Sequence, residues 1–302
     1  MKPLRIVTAL LLIGGALTGC AAADEDRPLV VVSTNILGDV VSNLVGEDVE
    51  VVTLMRPGAD PHSFEISASE AARLRSADLV VSNGLGLEEG LQQHLDAAAD
   101  AGVATFVAGD AIDVLPYTST DADGAADPHF WTDPARTIAV VDALVPVLER
   151  LEGVDVSAVA DRSAAYRSEL EALDADMVTA FASLPPTRRA LVTNHHVFGY
   201  LAERFGFRVV GAVIPGGTTL AAPSASDLAA LVAAIDAAGV RTIFAESSQP
   251  DRLVRALAEE ADVDVAVTEL YTESLTEPGG GAPDYLTMMR VNTERIATGL
   301  SP

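Results

Sequence analysis

The stretch from Val156 to Leu184, "VSAVADRSAAYRSELEALDADMVTAFASL", constrains the fold more than any other. It contains no glycine or proline, and apolar residues recur at helical spacing: Tyr166, Leu170, Leu173, Met177 and Phe181. At about 1.5 Å per residue the predicted helix is roughly 40 Å long. Pro185 and Pro186 stop it sharply, because proline removes a backbone donor and restricts the residue before it. A helix of this length near the middle of the chain makes a stiff connection. Whatever lies on either side is held apart and resists wide hinge opening.

Both flanks show the same alternation. On the amino-terminal side, "LVVVSTN" (Leu29 to Asn35), "VEVVTLM" (Val49 to Met55), "ADLVVSNG" (Ala77 to Gly84) and "ATFVAGD" (Ala104 to Asp110) are short valine-rich runs ending in polar or glycine-containing residues. Buried parallel strands read this way. Helical patterns lie between them, such as "SASEAARLRS", where Ser67 can cap and Glu70 falls three residues on, and "LEEGLQQHLDAAAD". On the other side the strand pattern returns in "RALVTNH", "FRVVGAV", "RTIFAES" and "VDVAVTEL". The helix "SASDLAALVAAIDAAG" lies among them, with Ser224 or Ser226 as cap and Gly239 as stop. Alternating β and α implies parallel α/β layers. The expectation is an α/β protein of two similar lobes with parallel sheets: residues 29–155, a linking helix over 156–187, and residues 188–302.

The first residues set the compartment. A basic start with Lys2 and Arg5 precedes an apolar run from Ile6 to Leu17, too short for a comfortable membrane span and laid out like a secretory signal. "LTGC", Leu17 to Cys20, resembles the lipobox of bacterial lipoproteins. The expectation is a signal peptide over 1–19, lipidation at Cys20 and a polar tether over 20–28. Cys20 is the only cysteine, so no intramolecular disulfide can form. Removing residues 1–19 takes the formal net charge from −25 to −27 and leaves no lysine. So acidic a surface repels nucleic acid and anionic lipid headgroups and concentrates cations. The 283 remaining residues exceed what one core usually holds, which again favours two lobes.

Of five histidines, four fall at predicted strand ends: His62, His129, and the pair His195 and His196. Ligands of open α/β sheets collect outside the carboxyl ends of strands. His62 and His129 share a setting, "ADPHSFE" and "ADPHFWTDP". Proline fixes its own φ and restricts its predecessor, so each corner aims the next side chain in a defined direction. Imidazoles from separate loops can converge on Zn²⁺, and Mn²⁺ is tolerated. A single loop histidine is more simply a backbone partner, but independent histidines would not gather at equivalent strand ends.

"PGADPHSFE", "DPHFWTDP", "VTNHHVFGYLAERFGF" and "LYTESLTEPGGGAPDYLTMMRVNTERI" together resemble the four signature segments of the zinc and manganese solute-binding lipoproteins of bacterial ABC importers. The resemblance covers the whole mature chain. It implies two α/β lobes bridged by one long helix, with a metal in the cleft held by one ligand from each segment: His62, His129, His195 and Glu273. His196 stands where the family commonly has an acid and is the alternative to His195. Glu273 departs from the usual aspartate by one methylene, and Glu246 is the competing carboxylate, or a partner of a histidine. Three histidines and one carboxylate approach the tetrahedral set of zinc, whereas a bidentate Glu273 would suit manganese better. The implied protein is a non-enzymatic, monomeric receptor, lipid-anchored at the outer face of the cytoplasmic membrane or in a periplasm, which passes metal to an ABC permease. The rivals are a zinc hydrolase with Glu246 as general base and a metal-dependent surface adhesin, which no repeat or aromatic patch supports.

Other features receive plainer expectations. The carboxylates Asp121, Asp123 and Asp127 read as a solvated loop, Phe130 and Trp131 as walls of the site, and His94 as an exposed helix residue. "EPGGGAP" lacks the Gly-Lys-Ser/Thr of a phosphate loop and reads as a turn.

Overall fold

The protein is described by a computed structural model over residues 27–117, 124–261 and 264–301. Cys20, the signal segment, Asp121 and Asp123 lie outside the described residues. Strands β1 (Leu29–Val32), β2 (Glu50–Thr53), β3 (Leu79–Ser82) and β4 (Thr105–Val107) form one parallel sheet in the order β2-β1-β3-β4. Strands β5 (Ala190–Thr193), β6 (Arg208–Ala212), β7 (Thr242–Glu246) and β8 (Ala266–Leu270) repeat that order as β6-β5-β7-β8, also parallel. Val30, Val31 and Val32 are all fully buried, which is why β1 reads as an unbroken valine run and not as an alternation. In each sheet the winding direction reverses beside the first strand, so β1/β3 and β5/β7 are the places where a ligand is expected.

Two of the helices begin at caps that the sequence offers, Ser67 and Ser224. Thr34 caps α1 (Asn35–Val45); Ser67 and Glu70 form a reciprocal capping box at α2 (Ala68–Ser76); Ser224 and Asp227 form another at α7 (Ala225–Ala238), which ends at Gly239 in the left-handed conformation. The helix expected across "LEEGLQQHLDAAAD" is shorter than its pattern: α3 spans only Gln92–Asp100. Glu88 turns inward instead. Its buried carboxylate accepts from Ser33 Oγ at 2.6 Å and from the Asn83 and Gly84 amides at 2.6 and 3.1 Å, tying the ends of β1 and β3 together. Burial raises its pKa against those donors. His94 on α3 is half-buried, not exposed.

Helix α4 (Pro134–Leu148) leads into the long α5 (Val156–Ala182). At its start, Arg162 of α5 donates to the Val45 carbonyl and to Asp48 of the first lobe, both at 2.8 Å. At its end, Phe181 packs edge-on against Phe205 and Phe207 of the second lobe, with ring centroids 5.1 and 4.9 Å away. Between them, Tyr166, Leu170, Leu173 and Met177 join one apolar core running from Val30 to Phe244 and Leu270. Two smaller cores line the outer faces of the sheets. The last helix, α9 (Tyr285–Leu300), adds a second link: the Tyr285 amide donates to Asp39 Oδ2 of α1 at 3.0 Å. Its Met288 and Met289 are buried. Among the described residues, no helix is long and apolar enough to cross a membrane.

Candidate metal centre

The loops after β2, β4, β5 and β8 bring His62, His129, His195 and Glu273 to one point, each no more than 1% exposed. The Nε2 atoms of His62 and His129 are 3.3 Å apart, as are those of His129 and His195. Glu273 Oε1 lies 3.1, 3.2 and 3.3 Å from the Nε2 atoms of His62, His129 and His195. These are five of the six edges of the cage, and all four donor atoms lie within 4.8 Å of one another. A regular tetrahedron with edges of about 3.3 Å has its centre about 2.0 Å from each corner, which is the zinc–nitrogen and zinc–oxygen distance. Ca²⁺, at roughly 2.3–2.6 Å with six or more oxygens, does not fit this donor set.

Both Asp-Pro-His corners owe their shape to the aspartate as well as to the proline. Asp60 Oδ1 accepts the His62 amide and Asp127 Oδ1 accepts the His129 amide, each at 2.9 Å, closing the same side-chain-to-backbone turn. Asp127 therefore does not belong to a solvated loop: it is 1% exposed and also accepts from His129 Nδ1 at 2.7 Å. Gly199 makes room for it, since a Cβ there would collide with the Asp127 carboxylate. In the second lobe Glu246, at the end of β7, accepts from His195 Nδ1 at 2.5 Å and from the His195 amide at 3.2 Å. A carboxylate can only accept, so it fixes the proton on Nδ1 and turns the Nε2 lone pair to the centre. Glu246 thus sits behind His195 and outside the four converging groups. His196, half-buried, points to no place in that group.

Electrostatics follow from burial and this ring of carboxylates. Burial opposes charging His195, yet Glu246 and Glu273 outweigh it and hold its pKa well above the ordinary imidazole value. His129 is raised in the same way, with Asp127 and Glu273 outweighing burial. Burial would raise Glu273, but the imidazoles of His195, His129 and His62 hold its carboxyl well below the usual range. Lone pairs 3.3 Å apart repel unless a proton or a cation lies between them. Neither Glu273 oxygen has a hydrogen-bond partner among the described residues, although both are buried. A divalent cation at the centre satisfies both requirements.

Glu273 reaches this point because its loop is fastened to the opposite lobe. Asn35, at the start of α1, donates to Ser274 Oγ at 2.8 Å and accepts the Leu275 amide at 3.0 Å. The Gly58 amide donates to the Leu275 carbonyl at 3.0 Å, and Trp131 Nε1 to the Thr272 carbonyl at 2.7 Å. Trp131 also stands edge-on to His129, centroids 5.3 Å apart, so it walls the site as expected. The structure shows, and sequence reasoning missed, the anchoring by Asn35 and the holding roles of Asp60 and Asp127. The signal for the aspartates was present in the repeated Asp-Pro-His itself.

The family model described as zinc-uptake complex component A, periplasmic (ZnuA), matches residues 30–299. The zinc-binding protein TroA of Treponema pallidum is 31% identical over 306 residues, covering 98% of each chain. The manganese-binding lipoprotein MntA of Halalkalibacterium halodurans is 27% identical over 307 residues, covering 100% of each. The solved structure of the T. pallidum periplasmic zinc-binding protein TroA superposes with a TM-score of 0.85 at 30% identity, covering 91% of this chain and 100% of that one. Matched from its first strand to its last helix, this chain belongs to the family of periplasmic zinc-uptake complex component A.

Proposed function

We propose that this protein is the extracytoplasmic solute-binding lipoprotein of a metal ABC importer, which captures Zn²⁺ between its lobes and delivers it to the permease in the same membrane. His62, His129, His195 and Glu273 are the proposed ligands, with lipid at Cys20 as the anchor. The observation that carries the reading is the cage of three Nε2 atoms and one carboxylate oxygen with five of its six edges at 3.1–3.3 Å, one donor from each of four loops. Four buried donors spaced in this way favour tetrahedral zinc, whose ligands lie about 2.0 Å from the ion. Manganese, which prefers more oxygen, is the second reading, favoured only if both Glu273 oxygens bind.

Capture, and not catalysis, suits this arrangement. A hydrolytic zinc keeps an open position with a base beside it. Glu246, the candidate base, is instead spent on the far side of His195. Zn²⁺ binding displaces the protons that the imidazoles hold in the metal-free cage, so its charge meets one carboxylate directly and two more through His129 and His195.

Chelator-competition binding of Zn²⁺ and Mn²⁺ to metal-stripped protein, alongside Glu273→Ala, tests the proposal. Much tighter zinc than manganese binding, weakened in the variant, is the expected result. Manganese binding as tight as zinc would support the second reading, and an unaffected variant would remove Glu273 from the ligand set.

A further inference from the structure

The cage is fastened on two sides, and the fastenings differ. On the Glu273 side the bonds from Asn35 and Trp131 to residues 272–275 run between buried groups. On the opposite side, the connection between β6 and α7 reaches over to the first lobe. Tyr117 donates to the Gly217 carbonyl at 2.6 Å, and a Cβ on Gly217 would run into the tyrosine ring. Beside it, Asp60 crosses the cleft. Its Oδ1 holds the His62 amide at 2.9 Å, while Oδ2 accepts from Ser63 Oγ at 3.0 Å, Thr219 Oγ1 at 2.6 Å and Gln249 Nε2 at 2.8 Å. Thr219 and Gln249 belong to the second lobe, and all three residues are half-buried.

We propose that Asp60 is a positioning residue that latches the second lobe onto the His62 corner, and that metal leaves on this side of the cage at a rate set by the latch. The inference rests on the metal-centre reading above and adds an exit side and a rate-controlling contact to it. One carboxylate plane joins a ligand's backbone to two donors of the other lobe, so parting the lobes here frees the His62 corner in the same motion. Half-buried bonds can be replaced by water, whereas the buried bonds around Glu273 cannot be broken without leaving polar groups unpaired. The latch side therefore opens first.

The test is stopped-flow transfer of Zn²⁺ from the loaded protein to excess chelator. Thr219→Val with Gln249→Leu removes both cross-cleft donors to Asp60 but leaves the Asp60–His62 turn and the Tyr117–Gly217 bond intact. It is expected to speed release by about tenfold, corresponding to about 1.4 kcal/mol for the two charge-assisted bonds together, with metal association and metal-free melting unchanged. Thr219→Ser, which keeps the hydroxyl, should release metal at the wild-type rate. Release within twofold of wild type in the double variant, or faster release matched by a lower melting temperature of the metal-free protein, overturns the proposal. His62→Ala separates this outcome from failure of the site itself: undiminished zinc binding in that variant would reject the metal centre, whatever the latch does.

Discussion

The two Asp-Pro-His corners share a backbone turn but spend their aspartates differently. Asp127 keeps both hydrogen bonds of its carboxylate on His129, amide and Nδ1, in a buried pocket to which Gly199 and Tyr200 of the second lobe also contribute. Asp60 holds only the amide of His62 and turns its other oxygen to Ser63, Thr219 and Gln249, and His62 Nδ1 has no hydrogen-bond partner among the described residues. One motif therefore yields a corner whose carboxylate serves its own histidine alone and a corner whose carboxylate also bonds side chains of the other lobe. A receptor that must hold a metal and later release it can use both kinds.

The largest expected effect treats the corners alike. His62→Ala and His129→Ala should each weaken zinc binding more than 100-fold by chelator competition, beyond the roughly 10–100-fold typical of outer-shell changes. Comparable binding in either variant would remove that corner from the site. The next effect separates them. Asp127→Ala should cost about 10–100-fold in equilibrium affinity, because His129 loses its orienting acceptor, and Glu246→Ala should do the same to His195. Asp60→Ala should show itself chiefly in the release rate.

Proton competition tests two of the ligands directly. His129 and His195 have pKa values raised above the ordinary imidazole value, and metal requires their neutral form. Affinity should therefore fall as pH falls, beginning above pH 6.5, by up to about 100-fold per pH unit where both imidazoles are protonated in the metal-free protein. Calorimetry in buffers of different ionisation enthalpy should register proton release on zinc binding at neutral pH; no release would contradict the raised values. The smallest effect concerns the buried side: Trp131→Phe removes the donor to the Thr272 carbonyl and should cost about 1 kcal/mol in unfolding free energy by chemical denaturation.

The parts that were legible in the sequence are those set by local pattern. Valine runs announced both sheets, Ser67 marked the start of its helix and Ser224 or Ser226 that of another, where Ser224 is the cap, and the run from Tyr166 to Phe181 gave the bridging helix to within a few residues. The four converging residues were reached through resemblance of whole segments, because nothing local says that Glu273, 78 positions after His195, meets it in space. What stayed hidden depends on partners distant in sequence. Glu88 looks like a helix-surface residue until Ser33 is placed beside it, and Asp127 looks like a loop carboxylate until Gly199 lets it reach inward. Asp60 reads as part of a turn. Only folding reveals Thr219 and Gln249 across from it.

The most direct test of the central claim is zinc K-edge X-ray absorption on the loaded protein. Three imidazoles and one oxygen donor at about 2.0 Å are predicted, with the oxygen lost or replaced by water in Glu273→Ala. Fewer than three imidazole scatterers, or a shell of six oxygens at longer distance, would contradict the cage described by His62, His129, His195 and Glu273.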